Sequence, residues 1–197
     1  RDRYKASSGE IVFEGDHIEG RRPYEICRMG IARTSQKVQS FPEMTAIDNV
    51  LVGTLFGGDR RYSMSKGIKR AEELLRFVGL PEEKKTTPAK ELNIAELRRV
   101  QLAKALATEP KLLLLDELLT GLNPTESKEA ISLIKKVHEH TTILLVEHVM
   151  RIVMTLCNRV IVLHHGEKIA EGTPEEVMED AEVIKIYLGK KHILYEK

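Results

Sequence analysis

Lys111-Leu112-Leu113-Leu114-Leu115-Asp116-Glu117 is the stretch on which the fold turns. Four consecutive apolar residues without polar alternation predict a strand buried on both faces of a parallel sheet. Two carboxylates directly after it stand out, because open α/β folds bind ligands at the carboxyl edge of such a sheet. One acid there can hold a metal ion while its neighbour polarises a water, the chemistry of a nucleotide hydrolase. The same seven residues also fit a buried strand that simply ends in two solvated acids, so the flanks decide.

Upstream, Leu97, Val100, Ala103, Leu106 and Ala107 share one side of an amphipathic helix that Glu109-Pro110 stops. Downstream, Gly121-Leu122-Asn123-Pro124 is a turn, followed by a helix through Ile131, Ile134 and Val137. Thr141 to Val146 then forms a second buried strand ending in Glu147-His148. A helix through Ile152, Val153 and Leu156 leads to a strand from Arg159 to Leu163, and His165-Gly166 turns the chain into Lys168-Ile169-Ala170 as a hairpin. Thr173 caps and Pro174 opens a last helix, expected to end near Gly189.

Farther upstream, Gly9 to Asp16 reads as a short strand entering a hairpin, Pro23 to Arg28 as one or two helical turns, and Gly30 to Gln36 as a strand. Thr45 suits the cap of a helix through Ile47, Val50 and Leu51. Gly57 to Arg61 is a basic connector, and Lys66 to Val78 has helical spacing closed by Gly79 and Pro81. The polar stretch from Glu82 to Glu91 is a break. The order strand, helix, strand, helix, strand from Leu112 onward predicts an α/β core with a parallel sheet, interrupted by the mostly helical stretch between Gln36 and Leu97.

Composition narrows the function. The 197 residues suffice for one sizeable domain or for one with an inserted subdomain, and 42% hydrophobic with 31% charged residues fits a substantial core. With 31 basic and 30 acidic side chains the net charge is +1, which points away from wholesale binding to nucleic acid or anionic lipid. No apolar run approaches the ~18 residues that span a bilayer, and no signal-peptide core follows Arg1-Asp2-Arg3-Tyr4-Lys5. A cytosolic or membrane-peripheral location is expected. Cys27 and Cys157 lack metal spacing and read as reduced, buried thiols. His138-Glu139-His140 diverge in direction at a helix end, His164-His165 sits in a hairpin turn, and Lys190-Lys191 belongs to the tail, so none is read as a site beyond weak headgroup contact by the last pair.

Neighbouring parallel strands bring Asp116-Glu117 and Glu147-His148 to one sheet edge, where two acids and an imidazole can serve phosphoryl transfer by positioning and charge stabilisation. With these residues in place the chain resembles the ATPase subunit of an ABC transporter. Leu112 to Glu117 matches the family's Walker B motif, Gly121-Leu122-Asn123-Pro124 its D-loop with Asn123 for the commoner Asp, His148 its switch histidine and Gln36 its Q-loop glutamine. Arg33-Thr34-Ser35-Gln36, the D-loop, the strand from Thr141 to His148 and the tail Ile186-Tyr187-Leu188-Gly189 most resemble subunits of branched-chain amino acid importers. The ATPase of the lipopolysaccharide exporter is similar over the same segments.

The resemblance implies an α/β fold of the P-loop NTPase (RecA-like) class, a parallel-sheet core with a helical ABC subdomain inserted: core 1–36 and 97–197, helical subdomain 37–96. It implies ATP and Mg²⁺ as cofactors. Asp116 would hold Mg²⁺ through water, Gln36 would contact Mg²⁺ or the attacking water, Glu117 would be the general base and His148 would touch the γ-phosphate. The signature motif falls on Leu92-Asn93-Ile94-Ala95-Glu96, so Asn93, Ala95 and Glu96, with Asn123 of the D-loop, would meet nucleotide across a head-to-tail homo- or heterodimer. Transmembrane permease subunits would be the other partners, nucleic acid none, and the location the cytoplasmic face of the cell membrane.

Three departures qualify these expectations. Ile94 and Ala95 replace glycines that permit close backbone approach, and Leu118 stands where the family usually has Pro. No G-x-x-x-x-G-K-[ST] loop occurs; in the family it would precede Arg1. Losing even one phosphate donor costs ~3 kcal/mol of transition-state stabilisation, so these residues alone are expected not to hydrolyse ATP. The competing expectation is a noncatalytic ABC-like interaction or regulatory module.

Overall fold

The computed structural model describes residues 6–36, 39–58 and 62–188. It opens on a hairpin of β1 (Val12–Phe13) and β2 (Asp16–His17), followed by α1 (Pro23–Arg28) and β3 (Ile31–Arg33). Helices α2 (Ala46–Phe56), α3 (Met64–Phe77) and α4 (Ile94–Leu106) come next, then β4 (Leu112–Asp116), α5 (Pro124–His138) and β5 (Thr142–Val146). The chain continues through α6 (Met150–Leu156), β6 (Val160–His164), β7 (Glu167–Gly172), α7 (Pro174–Glu179) and α8 (Ala181–Val183), with one π turn over Ile184–Leu188.

The expected caps form. Thr45 Oγ1 accepts from the Asp48 amide at the start of α2, and Thr173 Oγ1 accepts from the Glu176 amide ahead of Pro174. At the end of α3, Gly79 takes φ of 75°, and the Leu80 amide reaches back to the Leu75 carbonyl at 3.0 Å. This left-handed stop satisfies carbonyls that the helix leaves open, and glycine adopts it without a Cβ clash. The stretch from Glu82 to Glu91 contains two short 3₁₀ turns, Glu82–Lys84 and Ala89–Glu91. The last helix is broken: Asp180 interrupts it and caps α8 by accepting from the Glu182 and Val183 amides. Gly189 and Lys190-Lys191 lie outside the described residues.

β3, β4 and β5 form a parallel sheet in that order, with Ala32 beside Leu113 and Asp116 beside Val146. Leu113 and Leu115 are the largest fully buried side chains and are continuous with Val50 and Val100, so one core runs from α2 and α3 through α4 into the sheet. Helix α4 joins the layers, packing on α2 and α3 on one side and on β3 on the other.

Two expectations change. The third parallel strand is β3 rather than the strand after α6, because β6 pairs antiparallel with β7 and not with β5. The strand from Thr141 to Val146 is also not buried on both faces: Leu144 and Val146 are each 51% exposed. The exposed residues Thr142, Leu144 and Val146 share one face of β5, which nothing among the described residues covers, while Ile143 and Leu145 point to the packed face. β6 and β7 instead close a small separate core of Val162, Val177 and Val183 with α7 and α8. Cys27 and Cys157 are free and half-buried rather than buried.

Candidate functional site

β4 delivers Asp116 to the carboxyl edge of the sheet because Leu113 and Leu115 anchor the strand in the core. The ladder runs one residue farther, since the Glu117 amide donates to the Val146 carbonyl at 3.0 Å. At Glu117 the backbone turns left-handed, with φ of 47°, and leaves the sheet. A non-glycine residue takes that conformation only where its surroundings hold it. Arg98 on α4 supplies the hold: its Nη1 donates to the carbonyls of Glu117 at 2.8 Å and of Leu118 at 2.6 Å.

Thr34, fully buried after β3, donates its amide to the Leu114 carbonyl at 2.9 Å and accepts the Asp116 amide on Oγ1 at 3.3 Å. The next carbonyl, of Ser35, accepts from Gln101 Nε2 at 2.9 Å. Gln36 is thereby carried to Glu117, and its Nε2 donates to Glu117 Oε2 at 2.7 Å. From the end of β5, His148 brings Nδ1 to 3.8 Å from the other oxygen, Oε1, a contact that is ionic when the imidazole is protonated. Three chain segments, far apart in sequence, converge on one carboxylate.

Asp116 makes a different contact. Its Oδ2 accepts from Arg33 Nη2 at 2.7 Å on an open surface where the pair is weakly stabilising. Glu147 turns toward the backbone after the acids: its Oε1 accepts from the Leu119 amide at 3.4 Å, and its Oε2 is buried without a partner. Burial therefore raises the carboxyl above its ordinary range, with the Leu119 amide and His148 opposing the shift.

Of the residues marked in the sequence, Gln36, Glu117 and His148 meet, and Asp116 lies beside them. Asn93, Ala95, Glu96 and Asn123 make their contacts elsewhere. Asn93 and Glu96 form a reciprocal cap on α4, each bond 2.9 Å. Asn123 caps α5 through the Thr125 and Glu126 amides. Arg33, Arg98, Gln101 and Glu147 received no role of their own from the sequence, although Glu147 was placed with His148 at the sheet edge. For Arg98 and Gln101 a signal existed: two polar residues three apart on a helix share a face, and both are buried here.

The donors near Glu117 are hard oxygens, the Asp116 carboxylate and the Gln36 amide oxygen, which suit Mg²⁺ that keeps water and phosphate ligands. Among the described residues no group of three or more His, Cys, Asp or Glu could hold a metal. Mg²⁺ held by Asp116 and Gln36 would therefore complete its coordination with water and phosphate oxygens.

A family model described as ABC transporter matches residues 1–120. The chain belongs to the ABC transporter family. A second model, described as branched-chain amino acid ATP-binding cassette transporter, matches residues 167–193 and identifies this ABC transporter ATP-binding protein as the branched-chain amino acid type. The high-affinity branched-chain amino acid transport ATP-binding protein LivG of Escherichia coli K12 is 39% identical over 95% of this chain and 78% of its own length. BraF of Pseudomonas aeruginosa, with the same description, is 35% identical over the same shares. Among solved ABC structures, a dimeric post-hydrolysis state of the cassette MJ0796 bound to ADP and Pi superimposes with a TM-score of 0.78 at 25% identity, covering 87% of this chain and 75% of that one. Among the described residues no helix is long and apolar enough to cross a membrane.

Proposed function

We propose that this ABC protein is the ATP-hydrolysing subunit of a transporter for branched-chain amino acids, with Glu117 as the general base. The observation that carries the reading is the convergence on that one carboxylate of Gln36 at 2.7 Å and His148 at 3.8 Å. A base must be fixed where it can take a proton from water, and the bonds from Arg98 and Gln101 fix both the acid and the approach to Gln36. In this reading Asp116 and Gln36 hold Mg²⁺, which would neutralise phosphate charge when bound, and His148 contacts the terminal phosphate.

Pairing with a second ATPase subunit and with permease subunits belongs to the same proposal, as do a position at the cytoplasmic membrane face and a helical subdomain over residues 37–96. In the dimer Asn93, Ala95, Glu96 and Asn123 face the partner's nucleotide. The 197 residues alone do not hydrolyse ATP in this reading, because they contain no G-x-x-x-x-G-K-[ST] loop to cradle phosphates. A noncatalytic reading draws on Asn93, whose side-chain oxygen is engaged in capping α4, and on Ile94 beside it.

The test compares ATP turnover by the product of the complete gene, by the 197 residues and by Glu117→Gln in the complete product. We expect turnover only in the first, and a loss of about 100-fold or more in the variant with ATP binding kept. Turnover that survives Glu117→Gln removes the base assignment. Failure of the complete product both to bind and to hydrolyse ATP would establish the noncatalytic reading.

A further inference from the structure

The turn that follows Glu117 is gripped from two sides. Leu118 and Leu119, each 4% exposed, bury the peptide group between them. Its carbonyl, of Leu118, accepts from Arg98 Nη1 at 2.6 Å, and its amide, of Leu119, donates to Glu147 Oε1 at 3.4 Å. A planar trans peptide points its carbonyl and its amide in opposite directions, so a cation and a carboxylate hold one peptide plane from opposite sides. Two opposed, charged contacts fix the tilt of that plane, which one alone leaves free to rock.

The two charges come from different elements. Arg98 lies on α4, whereas Glu147 ends β5, and its neighbour His148 brings Nδ1 to 3.8 Å from Glu117 Oε1. Beyond the last register pair, Asp116 with Val146, the two strand ends are tied by three contacts. The Glu117 amide donates to the Val146 carbonyl, the Leu119 amide to Glu147, and His148 approaches Glu117. The second of these crosses after the backbone has already turned out of the sheet at Glu117. Burial raises the Glu147 carboxyl, while the Leu119 amide and then the His148 ring and amide oppose the shift, so one carboxylate faces groups of both segments. With Oε2 buried and unmatched, Glu147 is a poor stabiliser, and what explains its place is what it positions.

We propose that Glu147 is a positioning residue: by tying the turn after Glu117 to the end of β5, it holds His148 at its distance from Glu117. The proposal rests on the ATPase reading, in which Glu117 is the base and His148 meets the terminal phosphate. Glu147 acts through His148 and not on the phosphate itself. Arg98 keeps the Glu117 and Leu118 carbonyls in place whether or not Glu147 is present.

The experiment uses the complete gene product carrying Glu147→Met or Glu147→Gln, each with and without His148→Ala. Glu147→Met keeps the length of the side chain and removes the acceptor, while Glu147→Gln keeps an acceptor oxygen. We expect Glu147→Met to lower kcat about tenfold or more with KM for ATP within about twofold, and Glu147→Gln to recover most of the rate. In the His148→Ala background Glu147→Met should cost less than about twofold further, because no imidazole remains to be placed. Two readouts taken without nucleotide are independent of turnover. In Glu147→Met, and not in Glu147→Gln, amide hydrogen exchange at Leu119 quickens about tenfold or more relative to Leu115 in β4, and the His148 ring resonances shift. Where Glu147→Met does not fold, Glu147→Asp, one methylene short of Leu119, serves in its place. Equal losses of kcat with and without His148, or unchanged exchange at Leu119, would each overturn the proposal. If the unmutated product has no turnover, the ATPase reading falls, and the exchange and the ring resonances alone decide whether Glu147 holds the turn and His148.

Discussion

Arg98→Met isolates the brace behind the candidate base. The substitution keeps an unbranched side chain in a buried position but removes Nη1, which serves the Glu117 and Leu118 carbonyls at 2.8 and 2.6 Å. Hydrogen bonds from a charged donor contribute roughly 1.5–3 kcal/mol each, giving an upper figure of about 6 kcal/mol. That figure is too large, because the guanidinium is itself penalised by burial and leaves one donor unmatched. Halving it for these opposing effects gives a net loss of about 3 kcal/mol. For a domain of this size that corresponds to a fall in Tm of roughly 6–12 °C. Urea unfolding followed by far-UV circular dichroism measures the loss, with an unchanged m-value showing that the unfolding transition is comparable. Arg98→Lys, which keeps the charge but not the forked geometry, should recover about half. A loss below about 1 kcal/mol for Arg98→Met would refute the brace, and the left-handed turn at Glu117 would then be held by the sheet alone.

Three further outcomes are expected. Gly53 on α2 faces α4 so closely that an added Cβ would sit 2.7 Å from the Lys104 carbonyl oxygen and 2.8 Å from the Ala107 Cβ, so Gly53→Ala should destabilise by about 1–3 kcal/mol in the same assay despite alanine's better helix propensity. Glu147 has a folded-state pKa raised above its ordinary value of 4.5, so the fold gains from its protonated form at low pH and loses that gain as pH rises through the raised value. Glu147→Gln should therefore raise Tm at neutral pH, with the advantage shrinking as pH falls through the raised value toward 4.5 and levelling off below it; a constant advantage would dismiss burial as the cause. On the β6–β7 hairpin Lys168 and Arg159 hold the Glu171 carboxyl down to about 2, and an NMR titration should show its midpoint move upward in Lys168→Ala and further when Arg159 is also replaced.

Local chemistry was legible wherever a residue acts on its own neighbourhood. Thr45, Thr173 and Gly79 bound their helices because capping and left-handed stops involve atoms only a few residues away. The apolar run ending in Asp116 marked the central strand, since a run of four consecutive leucines suits a strand covered on both faces. The partners of those elements were less legible. The run from Thr142 to Val146 is almost as apolar, yet alternate side chains are exposed because cover depends on what packs against each face of the sheet. The asparagines were ambiguous in a related way: Asn93 and Asn123 have residue types that suit a phosphate contact and a helix cap equally, and the geometry uses them as caps.

The sequence by itself determined the family, the order of strands and helices, and three of the groups at the sheet edge, because each rests on residue type and spacing along the chain. Tertiary structure alone decided that Gln36, Glu117 and His148 touch, that β6 leaves the parallel sheet, and that Arg98 and Gln101 reach from one helix face to two separate loops. These are contacts across tens of residues, fixed when α4 packs between the helical layer and the sheet, and side-chain reach across such a junction follows from packing rather than from periodicity.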